Sequence, residues 1–459
     1  MTTRQPPRSV ETFRSTFTGE VVEPGDPTYD ERRAVWNGTV DRHPQVIAVC
    51  RSIDDIVSGV RASREAGESP AIRAGGHSVA GLSMCDGVVL DLSAMRHVRV
   101  DPDGLRAHAE PGATWHDLDA ACAEHGLATT GGLISSTGVA GLTLGGGIGW
   151  LQRRYGLACD NLVAADMVTA TGELVHASPD ENPDLLWGLR GGAGNLGVVA
   201  GLELALHPVS TVLGGMLLFS FERAAEVLRA FRGWCRTAPD ESSFLAAVIT
   251  APPEPFVPEE YTDQKVLAIL GCWCGDLEAG AAAIAPLRDA GPIVDLFGPM
   301  PYVGLQSMLD AGAPYGARNY FRSGYTDDLT DAMIDILVEH GSRMPSPMSQ
   351  IHVHQMGGAV SRVPADATAY SGREAAFTYN LVSTWLDPAE DGMYVEANRL
   401  LATALAPLAL PGSYVNFLSD ENEAQVRDAY GPSYGRMADL KRAWDPENLF
   451  RRNQNVSPA

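Results

Sequence analysis

The chain has 459 residues, more than a single hydrophobic core usually supports, and this length predicts at least two lobes. Apolar residues make up 45% of the chain and charged residues 20%, which is typical of a globular protein and argues against extensive disorder. The formal net charge of -23, together with the lack of a basic stripe interleaved with aromatic residues, argues against a nucleic-acid partner.

Cysteine usage and the first residues of the chain bear on the cellular compartment. The seven cysteines are odd in number and lack the spacing of a disulfide framework, so we interpret them as mostly free thiols in a reducing compartment. Cys272 and Cys274 have no partner ligands nearby in the sequence, and we expect them to be buried. The first twenty residues contain no apolar stretch of the kind that signal peptides carry, and we expect a cytoplasmic protein.

The first elements in chain order predict a βαβ unit. Residues 43–50 (HPQVIAVC) are typical of a strand, and residues 52–67 of a helix with a serine N-cap and a glycine stop. Residues 69–76 (SPAIRAGG) predict a second strand, which ends at a turn that contains His77. Open α/β sheets bind ligands at such strand ends, so this turn is a candidate binding site.

Three short strands are predicted next, at residues 87–93, 98–101 and 105–112, and a capped helix that begins at Thr114 follows them. The chain then enters residues 126–152, which we call the glycine segment.

The glycine segment carries no charge and thereby imitates a membrane span, with a GxxxG motif at Gly141 and Gly145. Nine of its residues are glycine, three of them consecutive, and each glycine costs a helix about 1 kcal/mol relative to alanine. We therefore expect loops or paired strands, in which the backbone approaches another chain segment or a ligand closely. No membrane partner is predicted.

From about residue 208 the sequence alternates between longer helices and strands, which predicts a second lobe. Residues 420–450 have a helical pattern, and Asp445 with Pro446 is expected to open a last short helix. The sequence GAGNLG at residues 192–197 matches the dinucleotide pattern GxGxxG, but a predicted helix precedes it and a predicted strand follows it, the reverse of a Rossmann site. A glycine bend is the simpler interpretation, although a cofactor could still lie against it.

Four motifs, in order along nearly the whole chain, resemble those of the berberine-bridge-enzyme-like branch of the vanillyl-alcohol-oxidase flavoprotein superfamily. They are RAGGHSVAG from Arg73, TGVAGLTLGGGIGWLQRRYGLACDNL from Thr137, LWGLRGGAGNLGVV from Leu186 and LKRAWDPENLFRRNQNVSP from Leu440.

The resemblance implies an α+β fold in two lobes, of the p-cresol methylhydroxylase (PCMH) type. Residues 1–207 would form the FAD-binding lobe, and residues 208–416 a substrate lobe built of an antiparallel sheet covered by helices. Residues 417–459 would form a C-terminal segment that returns to the FAD lobe.

The resemblance also implies a covalent flavin. In the family, the histidine of the first motif is bonded through a ring nitrogen to the 8α-methyl group of the flavin, and His77 occupies that position. Many members carry a second tether, a cysteine, at a position that falls on Ile134, and isoleucine cannot form the bond. Cys159 lies beyond the triple glycine, outside that register, and we interpret it as a packed free thiol. A single attachment is expected; the alternative is a turn histidine hydrogen-bonded to backbone.

The other cofactor contacts are predicted in two glycine turns and near the C-terminus. Backbone N–H groups of glycine turns form anion nests that suit the FAD diphosphate without net positive charge. Tyr414 and Asn416 match a YxN motif that lies near the flavin ring in the family. The predicted cofactor-binding residues are Arg73, Gly75, Gly76, His77, Ser78, Val79, Gly81, Thr137, Gly138, Gly141, Gly145, Gly146, Gly149, Val199, Tyr414 and Asn416.

The residue after YxN is often a tyrosine that acts in catalysis, but here it is Phe417, so the base must come from elsewhere. Residues 350–358 (QIHVHQMGG) predict a strand with His352 and His354 on one face, and several relatives carry a catalytic carboxylate at the position of His354. A histidine accepts protons near neutrality, so His354 or His352 is the predicted base. The alternatives are a structural histidine or a metal pair; no carboxylate or cysteine accompanies the two rings, and no metal is predicted.

These features imply an FAD-dependent oxidase of secondary metabolism. A hydride would pass from an alcohol, phenolic, amine or sugar group of a small natural product to flavin N5, and O2 would reoxidise the flavin to give H2O2. A flavin-dependent oxygenase or dehydrogenase and a non-enzymatic ligand-binding flavoprotein are the alternatives. The sequence leaves the substrate and the oligomeric state open.

Two further sets of residues are assigned with alternatives. In the family, the position of Thr137 lies over flavin C4a and N5, so Thr137 is expected to govern oxygen access, unless its hydroxyl merely satisfies a backbone group. Four tyrosines either line the substrate site or belong to the hydrophobic core: Tyr302, Tyr315, Tyr320 and Tyr379.

Overall fold

The computed structural model describes residues 8–419 and 422–459. The strands are β1 (Glu20–Val22), β2 (Val46–Val49), β3 (Ala71–Arg73), β4 (Val88–Asp91), β5 (Val98–Asp101), β6 (Arg106–Ala109), β7 (Leu127–Ala128), β8 (Leu162–Val168), β9 (Leu174–Ala177), β10 (Val198–Ala205), β11 (His207–Pro208), β12 (Thr211–Ser220), β13 (Ser242–Thr250), β14 (Lys265–Trp273), β15 (Val294–Asp295), β16 (Gly298–Pro301), β17 (Arg318–Thr326), β18 (Gln350–Gln355) and β19 (Phe377–Trp385). The α-helices are α1 (Arg8–Thr16), α2 (Tyr29–Arg33), α3 (Ile53–Ala66), α4 (Trp115–Ala123), α5 (Val139–Leu144), α6 (Gln152–Tyr155), α7 (Pro183–Leu189), α8 (Ala224–Cys235), α9 (Leu277–Arg288), α10 (Tyr302–Gln306), α11 (Asp331–Ser342), α12 (Ala359–Arg362), α13 (Asp391–Leu405), α14 (Glu423–Tyr430) and α15 (Tyr434–Trp444).

The first sheet contains the predicted βαβ unit. Its strand order is β1-β2-β4-β3, and both β2 and β3 run parallel to β4, which lies between them. Ser52 caps the connecting helix α3 by accepting a hydrogen bond from the N–H of Asp55 (3.2 Å), and Gly67 ends it with φ of 70°. The turn that contains His77 follows β3 directly and therefore lies at the end of this sheet.

The second sheet is antiparallel and has the order β5-β6-β10-β8-β9. Helix α4, which packs beside it, begins with a capping box between Thr114 and Asp117. Helix α7 precedes residues 192–197 and β10 follows them, so the GxGxxG match is a bend between a helix and a strand, as the sequence predicts.

The third sheet is antiparallel, with the order β15-β12-β14-β13-β18-β19-β17, and β16 also pairs with β12. Helices α8, α9, α11 and α13 cover one face through buried residues that include Val227, Ile334 and Leu401. On the other face, Leu245 shares a core cluster with Trp150 of the glycine segment. The predicted antiparallel sheet covered by helices is confirmed, and its uncovered face meets the glycine segment.

The glycine segment differs from its prediction in one place. Residues Val139–Leu144 form the short helix α5, whereas most of the remaining segment is irregular. The backbone approaches itself closely, because a Cβ on Gly149 would lie 1.6 Å from the carbonyl oxygen of Gly131. Only glycine fits at that contact. Within residues 8–419 and 422–459, no helix is long and apolar enough to cross a membrane.

The C-terminal helices pack onto the second sheet rather than the third. Tyr430, Met437 and Val456 belong to the same core cluster as Leu196 of the glycine bend. Residues 446 and 447 form a turn, so the short helix predicted to open at Asp445 and Pro446 is absent from this described stretch. The Asp445 carboxylate instead accepts hydrogen bonds from the N–H groups that follow it, at Leu449 and Phe450.

A buried ion pair holds the C-terminal segment against the glycine bend at residues 192–197. The Lys441 ammonium donates to the Asp445 carboxylate and to the carbonyl oxygens of Asn195 and Phe450, each at 2.7 Å, and neither ionised side chain is exposed. A buried charge is stable only when paired and hydrogen-bonded, and here the pairing links α15 to the glycine bend.

We expect Lys441→Met to lower the stability of the protein by about 3–5 kcal/mol, because Asp445 would remain buried without its countercharge. The shift in the midpoint of urea unfolding measures this effect. Arg442→Met is the matched control, since Arg442 pairs with Asp439 on the exposed surface, where such pairs contribute roughly 0–1 kcal/mol. Equal shifts for both variants would show that the buried pair has no special role.

Candidate active site

Two turns of the predicted FAD-binding lobe touch backbone to backbone. A Cβ on Gly75 would lie 2.5 Å from the amide nitrogen of Gly138, and a Cβ on Gly138 would lie 2.7 Å from the amide nitrogen of Gly75. Any side chain at either position would separate the turns. The sequence assigned both glycines to cofactor binding, and the structure brings their turns together.

His77 lies beside this contact. Its ring stacks on Trp36 with centroids 4.5 Å apart and planes 17° from parallel, and Nε2 lies 3.0 Å from Oγ of Ser136. Desolvation by the surrounding residues lowers the pKa of His77 to about 4, so the imidazole is neutral at physiological pH. The neutral ring is thus held on one face by Trp36 and at one nitrogen by Ser136.

The side chains of the first turn are engaged by the protein itself. The Arg73 guanidinium lies 3.7 Å from the buried Asp91 carboxylate, Ser78 Oγ accepts a hydrogen bond from the N–H of Leu82, and the Val79 carbonyl accepts one from Asn37. Apart from His77, the contacts of this turn with a cofactor would therefore come mainly from its backbone and its glycines. The glycines Gly76 and Gly81 have φ of 67° and 76°.

Tyr414 and Asn416 fix the glycine segment. The Tyr414 hydroxyl accepts a hydrogen bond from the N–H of Gly147 (2.8 Å), and the Asn416 amide donates to the Leu142 carbonyl (3.0 Å) and to the Tyr414 hydroxyl (2.9 Å). A Cβ on Gly145 would lie 2.1 Å from Asn416 Oδ1. The YxN motif thus shapes the second turn.

Close packing also explains why residue 146 is a glycine. Gly146 has φ of 126°, and a Cβ there would lie 2.8 Å from the Tyr370 ring. Gly141 is different, because it is exposed and a Cβ there would meet no atom within 4 Å. Open space therefore remains over α5 next to the two joined turns. Glycine backbone facing open space suits a planar ring and a diphosphate, so the residues present fit FAD.

Val199, a predicted cofactor-binding residue, and Cys159, predicted to be a packed free thiol, are both part of the core. Val199 lies in β10, and its side chain is buried in the core of the second sheet. Cys159 is buried, and burial raises the pKa of its thiol well above the usual range, which disfavours the reactive thiolate.

Both candidate base residues lie on the face of β18 that is not covered by helices. Their rings are 5.6 Å apart, and His352 Nε2 lies 2.7 Å from Gln350 Oε1, which identifies Nε2 as the donor and leaves Nδ1 as an acceptor. His354 is 3% exposed, and its Nε2 is buried without a hydrogen-bond partner within the described chain. It borders a small cavity with Ile148 and Gly149, so it faces the glycine segment.

Both histidines are neutral at physiological pH. Burial lowers the pKa of His352 to about 4 and that of His354 to about 3, and the neighbouring imidazole contributes to the second shift. Across residues 8–419 and 422–459, no group of three or more His, Cys, Asp or Glu is placed to hold a metal. Both imidazoles are therefore in the unprotonated form that a general base requires.

A row of aromatic rings that the sequence analysis missed connects the two histidine sites. Phe321 lies 6.1 Å from Trp36 and 6.5 Å from Phe417, and Phe417 lies 5.9 Å from His354, all between ring centroids. Since Trp36 stacks on His77, the row spans from the first turn to the candidate base.

The four tyrosines that the sequence analysis interpreted either as substrate walls or as core residues lie outside the row of rings. Tyr302 and Tyr379 are buried in core clusters, Tyr320 packs with Trp385 and Tyr394, and Tyr315 is 61% exposed. The core interpretation is correct for Tyr302, Tyr320 and Tyr379. Strand alternation puts Tyr320 on the helix-covered face and its neighbour Phe321 on the site face.

Comparison with known proteins agrees with this geometry. A family model of the FAD binding domain matches residues 44–178, and a model described as berberine and berberine like matches residues 413–457. The (R)-6-hydroxynicotine oxidase of Paenarthrobacter nicotinovorans is 30% identical over 469 residues, which cover 96% of this chain and 97% of the relative. The FAD-linked oxidoreductase YgaK of Bacillus subtilis is 29% identical over 454 residues, which cover 97% and 98%.

A solved structure shows the same fold. The crystal structure of 6-hydroxy-D-nicotine oxidase from Arthrobacter nicotinovorans has a TM-score of 0.86 and 28% identity, covering 96% of this chain and 98% of that chain. Fold and site together define an FAD-dependent oxidoreductase with the PCMH-type architecture. The chain belongs to the berberine-bridge-enzyme-like family of FAD-linked oxidases.

Proposed function

We propose that this enzyme oxidises a small molecule by accepting a proton from its O–H or N–H group at His354, with His352 beside it, as the adjacent carbon loses a hydride. Bound FAD supplies the hydride acceptor at flavin N5 and is reoxidised by O2 with release of H2O2. The observation that carries this proposal is the continuous row of rings between His77 and His354, one on each lobe.

The role of His354 rests on its position and protonation state. It lies opposite Leu245 of β13 and Thr378 of β19, faces the glycine segment, and has an unpaired ring nitrogen. A neutral imidazole without a partner can accept a substrate proton without first losing one. Gln350 supports the pair by holding His352 in the tautomer that presents Nδ1 as an acceptor.

We also propose that His77 carries the flavin as its single covalent attachment. The support is the neutral, stacked ring beside the two joined glycine turns, together with Ile134 and the buried Cys159, neither of which offers a second thiolate. Such a bond prevents loss of the cofactor and makes the flavin more electron-poor. The free, mostly buried cysteines agree with the cytoplasmic location that we propose for the enzyme.

An anaerobic screen tests the proposed reaction. Alcohols, phenols, amines and sugars are mixed with the enzyme without oxygen, and we expect at least one class of natural product to bleach the flavin, with colour and H2O2 returning in air. A protein that binds such compounds while its flavin never bleaches would be a carrier, contrary to the proposal.

Thr137 is the proposed gate for oxygen. It follows Ser136, the partner of His77, and its hydroxyl makes no hydrogen bond to any described residue, so the interpretation as a satisfied turn hydroxyl finds no support. Its backbone is fixed by a hydrogen bond from the N–H of Trp115 to the Thr137 carbonyl (3.0 Å). A short side chain held next to the cofactor turn leaves room for O2.

We expect Thr137→Leu to slow reoxidation in air by at least about tenfold, or about 1.4 kcal/mol in the barrier, because the larger side chain fills that room. Anaerobic reduction by substrate should change little, and stopped-flow absorbance separates the two half-reactions. Thr137→Ser is the control, since it preserves both the hydroxyl and the space. Equal loss in both half-reactions would contradict a role specific to oxygen.

A further inference from the structure

The face of the third sheet that carries the histidines forms a compact wall. The registers of β17, β18 and β19 are continuous, so residues directly opposite each other point to the same side. Three rows result: His354, Thr378 and Tyr325; His352, Asn380 and Ser323; and Gln350, Val382 and Phe321.

Most polar groups of this wall are already satisfied. Thr378 donates to the Gly324 carbonyl, Ser323 Oγ accepts from the N–H of Tyr414, and the Tyr325 hydroxyl lies 3.1 Å from that of Tyr370. His354 and Asn380 are the exceptions, because both are buried and neither His354 Nε2 nor Asn380 Oδ1 has a partner in the described chain. A buried amide oxygen without a partner costs about 1–3 kcal/mol, so a ligand that donates a hydrogen bond to it relieves that cost.

The wall offers no charge to a ligand. None of its nine side chains is acidic or basic apart from the two histidines, and desolvation lowers the pKa of both to about 4 or below, so they are neutral at pH 7. Removing a carboxylate or an ammonium group from water is strongly unfavourable without a countercharge. A charged group would therefore be destabilised against this surface, whereas an uncharged oxygen would not.

The ring contacts define the rest of the ligand. Phe321 and Phe417 are both partly exposed, and their ring centroids are 6.5 Å apart. Phe321 lies near Trp36, and Phe417 lies near His354. Two rings in an edge-to-face arrangement (74°) offer a third ring both a face and an edge to pack against.

We propose that the substrate of this enzyme is an uncharged aromatic compound whose ring packs on Phe321 and Phe417 and whose hydroxyl group donates a hydrogen bond to the amide oxygen of Asn380. This assignment rests on the proposed oxidase function and names its substrate class. Asn380 is thereby a specificity residue, opposite His352 in the middle row of the wall. A substrate oxygen bound by Asn380 would lie in the same row of the wall as His352. His354, the other candidate base, is in the neighbouring row.

Three isosteric ligands test the charge preference on the holoenzyme. Benzamide is neutral, benzoate is anionic and benzamidine is cationic at pH 7, and none has the hydrogen-bearing carbon that the reaction requires. We expect isothermal titration calorimetry to show benzamide binding at least about tenfold more tightly than either charged ligand and than cyclohexanecarboxamide, which lacks the aromatic ring. Benzoate or benzamidine binding as tightly as benzamide, or no binding of benzamide at millimolar concentration, would overturn the proposal.

Asn380→Leu tests the residue. This apolar variant should lose benzamide affinity by about tenfold while its affinity for toluene, which has the ring without the amide, stays the same. Gln264→Leu is the matched control, because it also replaces a side-chain amide by leucine, but at an exposed position in the loop before β14. An unchanged affinity for benzamide, or an equal loss for toluene, would remove Asn380 from the site.

These measurements are independent of the redox chemistry. If the holoenzyme bound the ligands in the expected order but no compound bleached the flavin anaerobically, the oxidase proposal would fail and the specificity proposal would stand. If bleaching occurred with charged compounds and the calorimetric order were reversed, the oxidase proposal would stand and the substrate class would be wrong.

Discussion

Acid precipitation of the native enzyme is expected to leave the flavin in the protein pellet, whereas precipitation of His77→Ala should release it into the supernatant. A covalent bond survives unfolding, but hydrogen bonds and stacking contacts do not, so this outcome is all or none. His77 is the residue concerned because its neutral ring is held by Trp36 and Ser136 next to the contact between Gly75 and Gly138. Absorbance of the two fractions measures the result, and peptide mass mapping places the flavin on the His77 peptide alone.

Two variants serve as controls for this experiment. Cys159→Ala should retain the flavin in the pellet, because the buried thiol is not an attachment point. Ser136→Ala should retain it as well, since Trp36 still holds the ring by stacking. A native flavin released by acid would refute the linkage, and a flavin found on Cys159 would show that the register which excludes a second tether is wrong.

Local sequence signals predicted the parts of the site that depend on neighbouring residues. The capping interactions at Ser52 and Thr114 fixed the starts of α3 and α4, and the period of two in QIHVHQ placed His352 and His354 on one face. Each of these features is decided within a few residues of chain. The structure agrees with all of them.

Contacts between residues far apart in the sequence determine the parts of the site that local sequence patterns could not predict. Nothing local tells which face of β17 meets the site, and the pairing with β19 selects Phe321 over Tyr320. Similarly, a Lys and an Asp four residues apart are typical of an exposed helix surface, yet Lys441 and Asp445 are fully buried because the C-terminal segment packs on the glycine bend. Helix α5 forms among glycines because the turns on either side hold its ends, as in the hydrogen bond from the N–H of Val139 to the Ala113 carbonyl.

These long-range contacts also explain why the site lies between two lobes. The glycine turns supply backbone that fits a cofactor, but they carry no general base. The uncovered face of the third sheet carries His352 and His354, the proposed bases, but it carries no glycine turn of this kind. Asp310 joins the two by accepting hydrogen bonds from the N–H (2.8 Å) and hydroxyl (2.5 Å) of Ser135, next to the partner of His77.

His354→Ala is expected to slow anaerobic flavin reduction by on the order of 10²-fold or more, the loss typical of removing a general base, while the variant still incorporates flavin. Stopped-flow absorbance measures the rate, and His352→Ala should have a smaller effect. His207→Ala is the matched control, because His207 is also a desolvated histidine with a pKa lowered to about 4, but it stacks on Tyr155 away from the wall. Wild-type rates in both His352→Ala and His354→Ala would end the histidine hypothesis.

The pH profile of the reduction rate gives a second signature of the same base. The proton-accepting form of His354 is the neutral imidazole, and because burial lowers its pKa to about 3, that form persists well below the usual histidine range. We therefore expect the rate constant for anaerobic reduction to stay level from neutral pH down to about pH 5 and to fall only as the pH approaches 4, where His352 and then His354 become protonated. A fall centred near pH 6.5, the value of an unperturbed histidine, would mean that the base is solvated and is not the buried imidazole of His354.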